Sequence, residues 1–184
     1  MDKRNKIIIG LVGETGSGKD TVANYLKEKY GAKLLRFVDP INEALEIFFE
    51  KYSKQDQQWL VTKFRERFGN DILCQALIKK IKNETGLLVL NGVRLLEDEK
   101  FIRNLENSRI VYITAEQKLR WKRIYNRGEK ADDNSSFEKF QEIEKAITEI
   151  HIPEIGSQAD FTIKNEKDLP SLLGSVDEVM GKIM

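Results

Sequence analysis

The stretch IIIGLVGETGSGKDTVANYL, residues 7–26, decides the fold. β-branched apolar residues run into a glycine cluster, a lysine follows, and an amphipathic segment begins at once. Gly13, Gly18 and Lys19 stand at the spacing G-x-x-x-x-G-K, with Gly16 between them. Glycine takes positive φ without steric penalty, so such a loop can turn its backbone N–H groups toward one point and form an anion nest at a helix N-terminus. The lysine then reaches the β and γ phosphates of a nucleoside triphosphate. The motif requires a strand, a loop and a helix in succession. Residues 6–12 predict a strand buried on both faces, while Val22, Ala23, Leu26 and Tyr30 repeat at helical spacing until Gly31. The reading is ATP binding by Gly13, Glu14, Thr15, Gly16, Ser17, Gly18, Lys19, Asp20 and Thr21. The bland alternative is a glycine-rich turn carrying an exposed lysine.

The rest of the chain sets bounds on that reading. With 184 residues it suits one α/β domain with a proper core. Lys and Arg number 31 against 30 Asp and Glu, a formal charge of +1, and no basic stripe breaks the balance, so neither nucleic acid nor a membrane surface is an expected partner. The longest apolar runs, residues 7–12 and 87–90, fall far short of the ~20 residues a membrane helix needs. MDKRNK leads straight into a strand, so no signal peptide is expected. Cys74 is the single cysteine and cannot form an internal disulfide, which suits a reducing, cytoplasmic location. Flanked by Ile72, Leu73 and Leu77 on a predicted helix, it reads as a small buried apolar residue rather than a nucleophile.

Further strands are predicted at residues 33–38, 87–90, 109–113 and 160–164. Helices are predicted at 41–52, 55–68, 70–83, 95–105, 117–127 and 137–150, with 153–158 as a connection and a closing helix at 168–183 interrupted near Gly174. Asp39 is the expected N-cap before Pro40, Asn70 a possible cap, and TAEQ at 114–117 a capping box. GEKADDNSS, residues 128–136, is polar and aperiodic, hence a loop. Strands alternating with helices imply right-handed βαβ units: an α/β, three-layer fold with a five-stranded parallel sheet and helices on both faces.

Asp20 departs from the general pattern, which places Ser or Thr after the lysine to ligate Mg²⁺. The hydroxyl comes one place later, at Thr21. This G-K-x-T order resembles small-molecule kinases such as adenylate kinase, and SGKDT, residues 17–21, resembles the deoxynucleoside monophosphate kinase family. VDPINEAL (38–45), RERFGNDIL (65–73), LNGVRLLEDE (90–99) and TEIHIPEIGSQADFTIKN (148–165) are similar to successive segments of that family, in register along nearly the whole chain. The resemblance implies a single P-loop kinase domain over residues 1–184, a helical acceptor-binding insertion at about 40–84 and a short mobile lid at about 120–136. It also implies that Arg65 or Arg67 faces the acceptor. Such kinases often end the third strand with Asp; here Asn91 stands there, so either the metal's carboxylate comes from Asp39 or Asp20, with Thr21 as the hydroxyl, or neutral groups hold the metal's shell.

Phosphoryl transfer gathers negative charge, which cations must offset. Arg94, at the carboxyl end of a predicted parallel strand, is the candidate grip on the acceptor phosphate. Arg120, Arg123 and Arg127 fall on one helical face before the polar loop, with Arg123 and Arg127 as candidate catalytic cations; a solvated basic surface is the alternative. Asp39, at the same strand edge, is a candidate for substrate or metal. Asp132 and Asp133 read as solvated loop residues, one of them able to pair with a lid arginine. His151 is no general base, because an anionic acceptor needs positioning rather than deprotonation. Trp59, Phe64, Phe68 and Trp121 are spaced as packing residues.

The expected activity moves the γ-phosphoryl of ATP, with Mg²⁺, onto a nucleoside or deoxynucleoside monophosphate, in a monomer or homodimer. One alternative is a dephospho-coenzyme A kinase, whose phosphate loop and C-terminal tail are similar and whose hydroxyl acceptor would require Asp39 as base. Another is a nucleotide-binding regulator on a kinase scaffold without activity, a reading encouraged by Asn91.

Overall fold

Ile8 and Ile9 point to opposite faces of one strand, and both are buried at 2% and 0% exposure. That double burial makes residues 7–12 a continuous apolar run rather than an alternating one. The computed structural model describes residues 6–127, 135–145 and 149–184, apart from the side chain of Lys54. Its strands β1 (Lys6–Val12), β2 (Lys33–Arg36), β3 (Gly86–Asn91), β4 (Ser108–Thr114) and β5 (Phe161–Lys164) form one parallel sheet in the order β2-β3-β1-β4-β5. The helices are α1 (Lys19–Tyr30), α2 (Asp39–Phe48), α3 (Lys54–Phe68), α4 (Ile72–Ile81), α5 (Leu96–Arg103), α6 (Gln117–Arg127), α7 (Phe137–Glu144), α8 (Ile152–Ser157) and α9 (Leu169–Ile183).

Two cores sandwich the sheet. On one face Ile8, Val12, Leu88, Leu90 and Ile110 pack with Ile41 and Leu45 of α2, Leu77 of α4, Ile102 of α5 and Ile155 of α8. On the other, Ile9, Leu11, Val89, Val111 and Ile113 meet Val22 and Leu26 of α1 and Leu172, Val176 and Met180 of α9. Gly10 permits one of these contacts, because a Cβ there would lie 2.6 Å from Cδ1 of Ile102. The expected five-stranded parallel sheet, covered on both faces, is therefore present. Among the described residues no helix is long and apolar enough to cross a membrane.

Several local expectations are corrected. β2 stops at Arg36, and Asp39 does not cap α2: the cap position is Val38, while Asp39 Oδ2 turns back to accept from the Arg36 N–H at 2.7 Å. Pro40 does occupy the first turn, where its missing N–H costs nothing. Asn70 gives its amide to Glu97, 3.1 Å away, and Asp71 takes the cap position of α4. TAEQ is no capping box, since Thr114 closes β4 and its hydroxyl donates to Glu14 at 3.3 Å. The sheet ladder claims Thr114 before a helix can use it. α7 ends at Glu144, short of 150, and residues 153–158, read as a connection, lie largely within α8, whose Ile152 and Ile155 are buried in the core. α9 runs unbroken through Gly174, because Leu172, Val176 and Met180 keep its apolar stripe continuous. Three helices, α2 to α4, fill the connection between β2 and β3.

Leu77 is fully buried at the centre of α4's contact with the sheet. Leu77→Ala is expected to destabilise the protein by about 2–5 kcal/mol in equilibrium urea unfolding; a loss under about 0.5 kcal/mol, the range of surface changes, would contradict this packing.

Candidate functional site

The sheet order reverses beside β1, and ligands in open α/β sheets bind at the carboxyl edge of such a switch point. The glycine loop lies there, between β1 and α1. Gly16 and Gly18 have φ of 81° and 95°. Close packing reinforces the need for glycine: a Cβ on Gly16 would lie 2.6 Å from the Arg120 carbonyl oxygen, and one on Gly18 2.3 Å from Nδ2 of Asn165. The same two residues hold the loop from behind. Arg120 Nη1 donates to the Thr15 carbonyl at 3.2 Å, and Asn165 Nδ2 to the Ser17 carbonyl at 2.8 Å. Among the described residues, the N–H groups of Thr15, Gly16 and Gly18 donate to no protein acceptor. With the carbonyls tied back, those donors remain for an anion.

Lys19 closes the loop with a side chain only 14% exposed. Its Nζ donates to Asn91 Oδ1 at 3.0 Å and to Asp20 Oδ1 at 3.3 Å, while Asn91 Nδ2 donates to the same Asp20 oxygen at 2.8 Å. Asn91 is the last residue of β3 and pairs with Leu11 of β1 in the ladder, so backbone pairing sets its place. Burial lowers the Lys19 pKa; Asp20 opposes this, and the charges of Arg94 and Arg36 add to it. Burial alone would raise the Asp20 pKa, but Lys19 and the hydrogen bonds from Asn91 and Lys19 outweigh it and hold the carboxyl below its ordinary value.

Arg94 follows β3, and its Nη1 is ion-paired with Glu149. Asp98 fixes the loop that carries Arg94: its Oδ2 accepts from the N–H of Arg94 at 3.1 Å and of Leu95 at 3.0 Å. Burial raises the Asp98 pKa against those two N–H donors and the nearby charge of Arg65. Arg36 ends β2 beside Asn91 in the ladder, and its charge acts on both Lys19 and Asp20.

Of the residues singled out from sequence, the structure brings Lys19, Asp20 and Arg94 together at this edge. Thr21 is exposed on the first turn of α1. Asp39 lies at the same edge with its carboxylate engaged by Arg36 N–H. Arg65, on α3, sits beside Asp98, Glu97 and Cys74, with a buried Nε that has no partner among the described residues. The arginines of α6 do not form one open face. Arg120 is buried and paired with Glu144 of α7, and Arg123 donates to the Asn165 carbonyl at 2.9 Å behind the loop. Burial lowers the Arg123 pKa. Arg127 ends α6; of the lid expected at about 120–136, residues 120–127 belong to α6, while residues 128–134, with Asp132 and Asp133, lie outside the described residues.

Sequence reasoning missed Arg36, Glu149 and Asn165, and it named Glu14 only as a member of the ATP loop. Arg36 was placed inside a strand expected to run to residue 38. Glu14 lies under the loop, accepting from the Tyr112 hydroxyl, and its Oε2 is buried without a partner among the described residues. Burial and that hydrogen bond push the Tyr112 phenol up to about 12, so it remains a donor. A cavity of about 360 Å³ lined by Arg103, Asn107, Arg109 and Asp160 opens at the far, amino-terminal end of β4. The strand edge bearing Lys19, rather than that cavity, is the candidate site, since ligands of open α/β sheets bind at the carboxyl edge.

The protein family described as AAA domain matches residues 9–145. The chain belongs to that family. Curated relatives extend the likeness over the whole length: a UPF0200 protein of Pyrococcus horikoshii is 28% identical over 97% of this chain and 98% of its own. One of Sulfurisphaera tokodaii is 26% identical over 96% and 97%. Among solved structures, TT1252 from Thermus thermophilus superposes with a TM-score of 0.66 at 21% identity, covering 98% of this chain and 100% of that one. Shikimate kinase from Bacteroides thetaiotaomicron gives 0.65 at 13%, covering 96% and 98%. At those identities the likeness shows the fold, which is P-loop kinase-like.

In this family member Cys74 is buried beside Asp98, with Sγ 3.6 Å from Oδ1. Burial, then the Asp98 charge, pushes its thiol from 9.0 up to about 12. At pH 8 the native thiolate fraction is roughly one in ten thousand, so a disulfide reagent should label Cys74 only after denaturation. The raised folded pKa contributes stability that is complete below 9.0 and declines as pH rises toward 12, because the unfolded thiol ionises first. Rapid native labelling at pH 8 would contradict the burial.

Proposed function

We propose that this chain is an ATP-dependent phosphotransferase that moves the γ-phosphoryl group of ATP onto a nucleoside or deoxynucleoside monophosphate. The observation that carries the reading is the gathering of Lys19, Arg94 and Arg36 at one strand edge beside a loop with unused N–H donors. Lys19 and the loop amides hold the donor polyphosphate. Arg94 holds the acceptor phosphate, which replaces the Glu149 carboxylate as its partner. Arg36 adds a cation on the acceptor side. Helices α2 to α4 serve as the acceptor-binding insertion, with Arg65 and Asp39 contributing to it, and Arg123 and Arg127 act from the donor side as the charge spreads.

Mg²⁺ bound with ATP would supply neutralisation of the phosphate charge. Thr21, and Asp39 or Asp20 as the carboxylate, are the residues that sequence alone assigns to the metal. Reaction takes place in the cytoplasm on a small-molecule acceptor.

A hydroxyl acceptor, as in a dephospho-coenzyme A kinase, would need a base. Asp39, the candidate, already has Oδ2 engaged by the Arg36 N–H, and the surrounding arginines suit an anionic acceptor better. A coupled assay for ADP release with dCMP, dTMP, dGMP and dephospho-coenzyme A separates these readings. Turnover with a monophosphate is expected, with kcat/KM reduced about 10²–10³-fold by Lys19→Ala. Arg94→Ala is expected to raise the acceptor KM by roughly 10-fold or more, the worth of a charge-assisted hydrogen bond. ATP binding with no acceptor-dependent ADP release would instead support a regulator, and turnover only with dephospho-coenzyme A would overturn the monophosphate assignment.

A further inference from the structure

In the general P-loop pattern the residue after the lysine is a hydroxyl that meets Mg²⁺, and the acidic partner comes from a strand end. This chain has the two chemistries exchanged. Asp20 follows Lys19, and the strand end carries the amide of Asn91. We infer that Asp20 is the carboxylate of the Mg²⁺ site, oriented by Asn91, so that the site keeps its single negative charge at the transposed position. This inference rests on the nucleotide reading above and deepens it.

Three observations support it. Asn91 grips only one oxygen of Asp20: Oδ1 accepts from Asn91 Nδ2 at 2.8 Å and from Lys19 Nζ at 3.3 Å. Oδ2 accepts from nothing among the described residues, on a side chain 73% exposed at the mouth of the loop. The donor set therefore offers a free carboxylate oxygen beside the lysine that faces the polyphosphate, which fits a hard divalent cation.

Charge gives the second argument. A carboxylate next to the β and γ phosphates repels them unless a cation lies between. Lys19 Nζ, 3.3 Å from Oδ1, offsets part of that repulsion, and a metal accompanying the nucleotide would offset the rest. Mg²⁺ is ordinarily held by one or two carboxylates together with substrate phosphates rather than by a protein cage.

Asp39 is the weaker candidate. Its Oδ2 is committed to the Arg36 N–H at 2.7 Å, and it makes no hydrogen bond to Lys19 or Asn91. Asn91, in contrast, uses both ends of its amide, accepting from Lys19 Nζ at 3.0 Å and donating to Asp20. It is a positioning residue that sets Asp20 and Lys19 in one orientation.

The test compares binding of a non-hydrolysable ATP analogue by calorimetry with and without Mn²⁺, and Mn²⁺ paramagnetic resonance of the ternary complex, across four proteins: the natural chain, Asp20→Asn, Asn91→Asp and the double variant. Circular dichroism and metal-free binding check that each is folded. In Asp20→Asn the metal-free affinity should rise, the strengthening by Mn²⁺ should fall roughly tenfold or more, and the resonance signal of bound Mn²⁺ should weaken. The double variant, with its carboxylate returned to the strand end, should recover most of the metal response. Asp20→Ala substitutes if Asp20→Asn does not fold. Unchanged metal enhancement in Asp20→Asn, or no recovery in the double variant, overturns the inference while leaving ATP binding intact. Absence of binding by the natural chain under both conditions would instead remove the nucleotide reading itself.

Discussion

Arg120 and Asn165 pull the carbonyls of Thr15 and Ser17 to the back of the glycine loop, and the loop's free N–H groups are what remain on the front. The arrangement draws on distant parts of the chain. Arg120 comes from α6 and is itself locked by Glu144 of α7, while Asn165 follows β5 and is braced by Arg123. Helices α6 and α7 and the last strand therefore act as a frame for seven residues near the N-terminus. Gly16 and Gly18 are needed twice over, for their positive φ and because this frame leaves no room for a Cβ. A rigid loop prepared in advance limits the ordering cost when a polyphosphate arrives.

In front of the loop the electrostatics are balanced rather than simply positive. Lys19, Arg36 and Arg94 are accompanied by Asp20 and Glu149, and Asn91 couples two of them through a neutral amide. Without ligand, each acid satisfies a cation that would otherwise be partly buried and alone, which costs free energy. In the proposed reaction a bound phosphate group would take over that partnership at Arg94. Asp98 and Cys74 behind the Arg94 loop are protonation-shifted by burial, and Asp98 does its structural work through two backbone N–H groups.

The sheet was legible from sequence because each strand is a short local pattern, and the loop because its spacing is a physical requirement of phosphate binding. Lys19 and Arg94 were legible for the same reason: both stand next to a strand end that hydrophobic pattern locates. The misses share one cause, a competition decided by tertiary contact. Thr114 looked like a cap until the sheet extended through it, and Asp39 until its carboxylate turned back to Arg36. Gly174 lost its apparent power to break α9 because the flanking apolar stripe is buried against β5 and α1. Arg120 and Arg123 shared a helical face in sequence, yet the face is covered, by α7 at one residue and by Asn165 at the other. Asn165 and Glu149 carry no local signal at all, being defined only by what they reach.

The central claim is that backbone amides from Gly13 to Lys19 enclose a polyphosphate. Amide proton and nitrogen shifts recorded while the labelled protein is titrated with ADP and Mg²⁺ test it directly. The largest and saturable changes are expected at Thr15, Gly16, Gly18 and Lys19, whose N–H groups face the ligand, with the distant amides of Arg103 and Arg109 unmoved. Saturating nucleotide that leaves the loop amides in place, or that moves another part of the chain instead, would contradict the account.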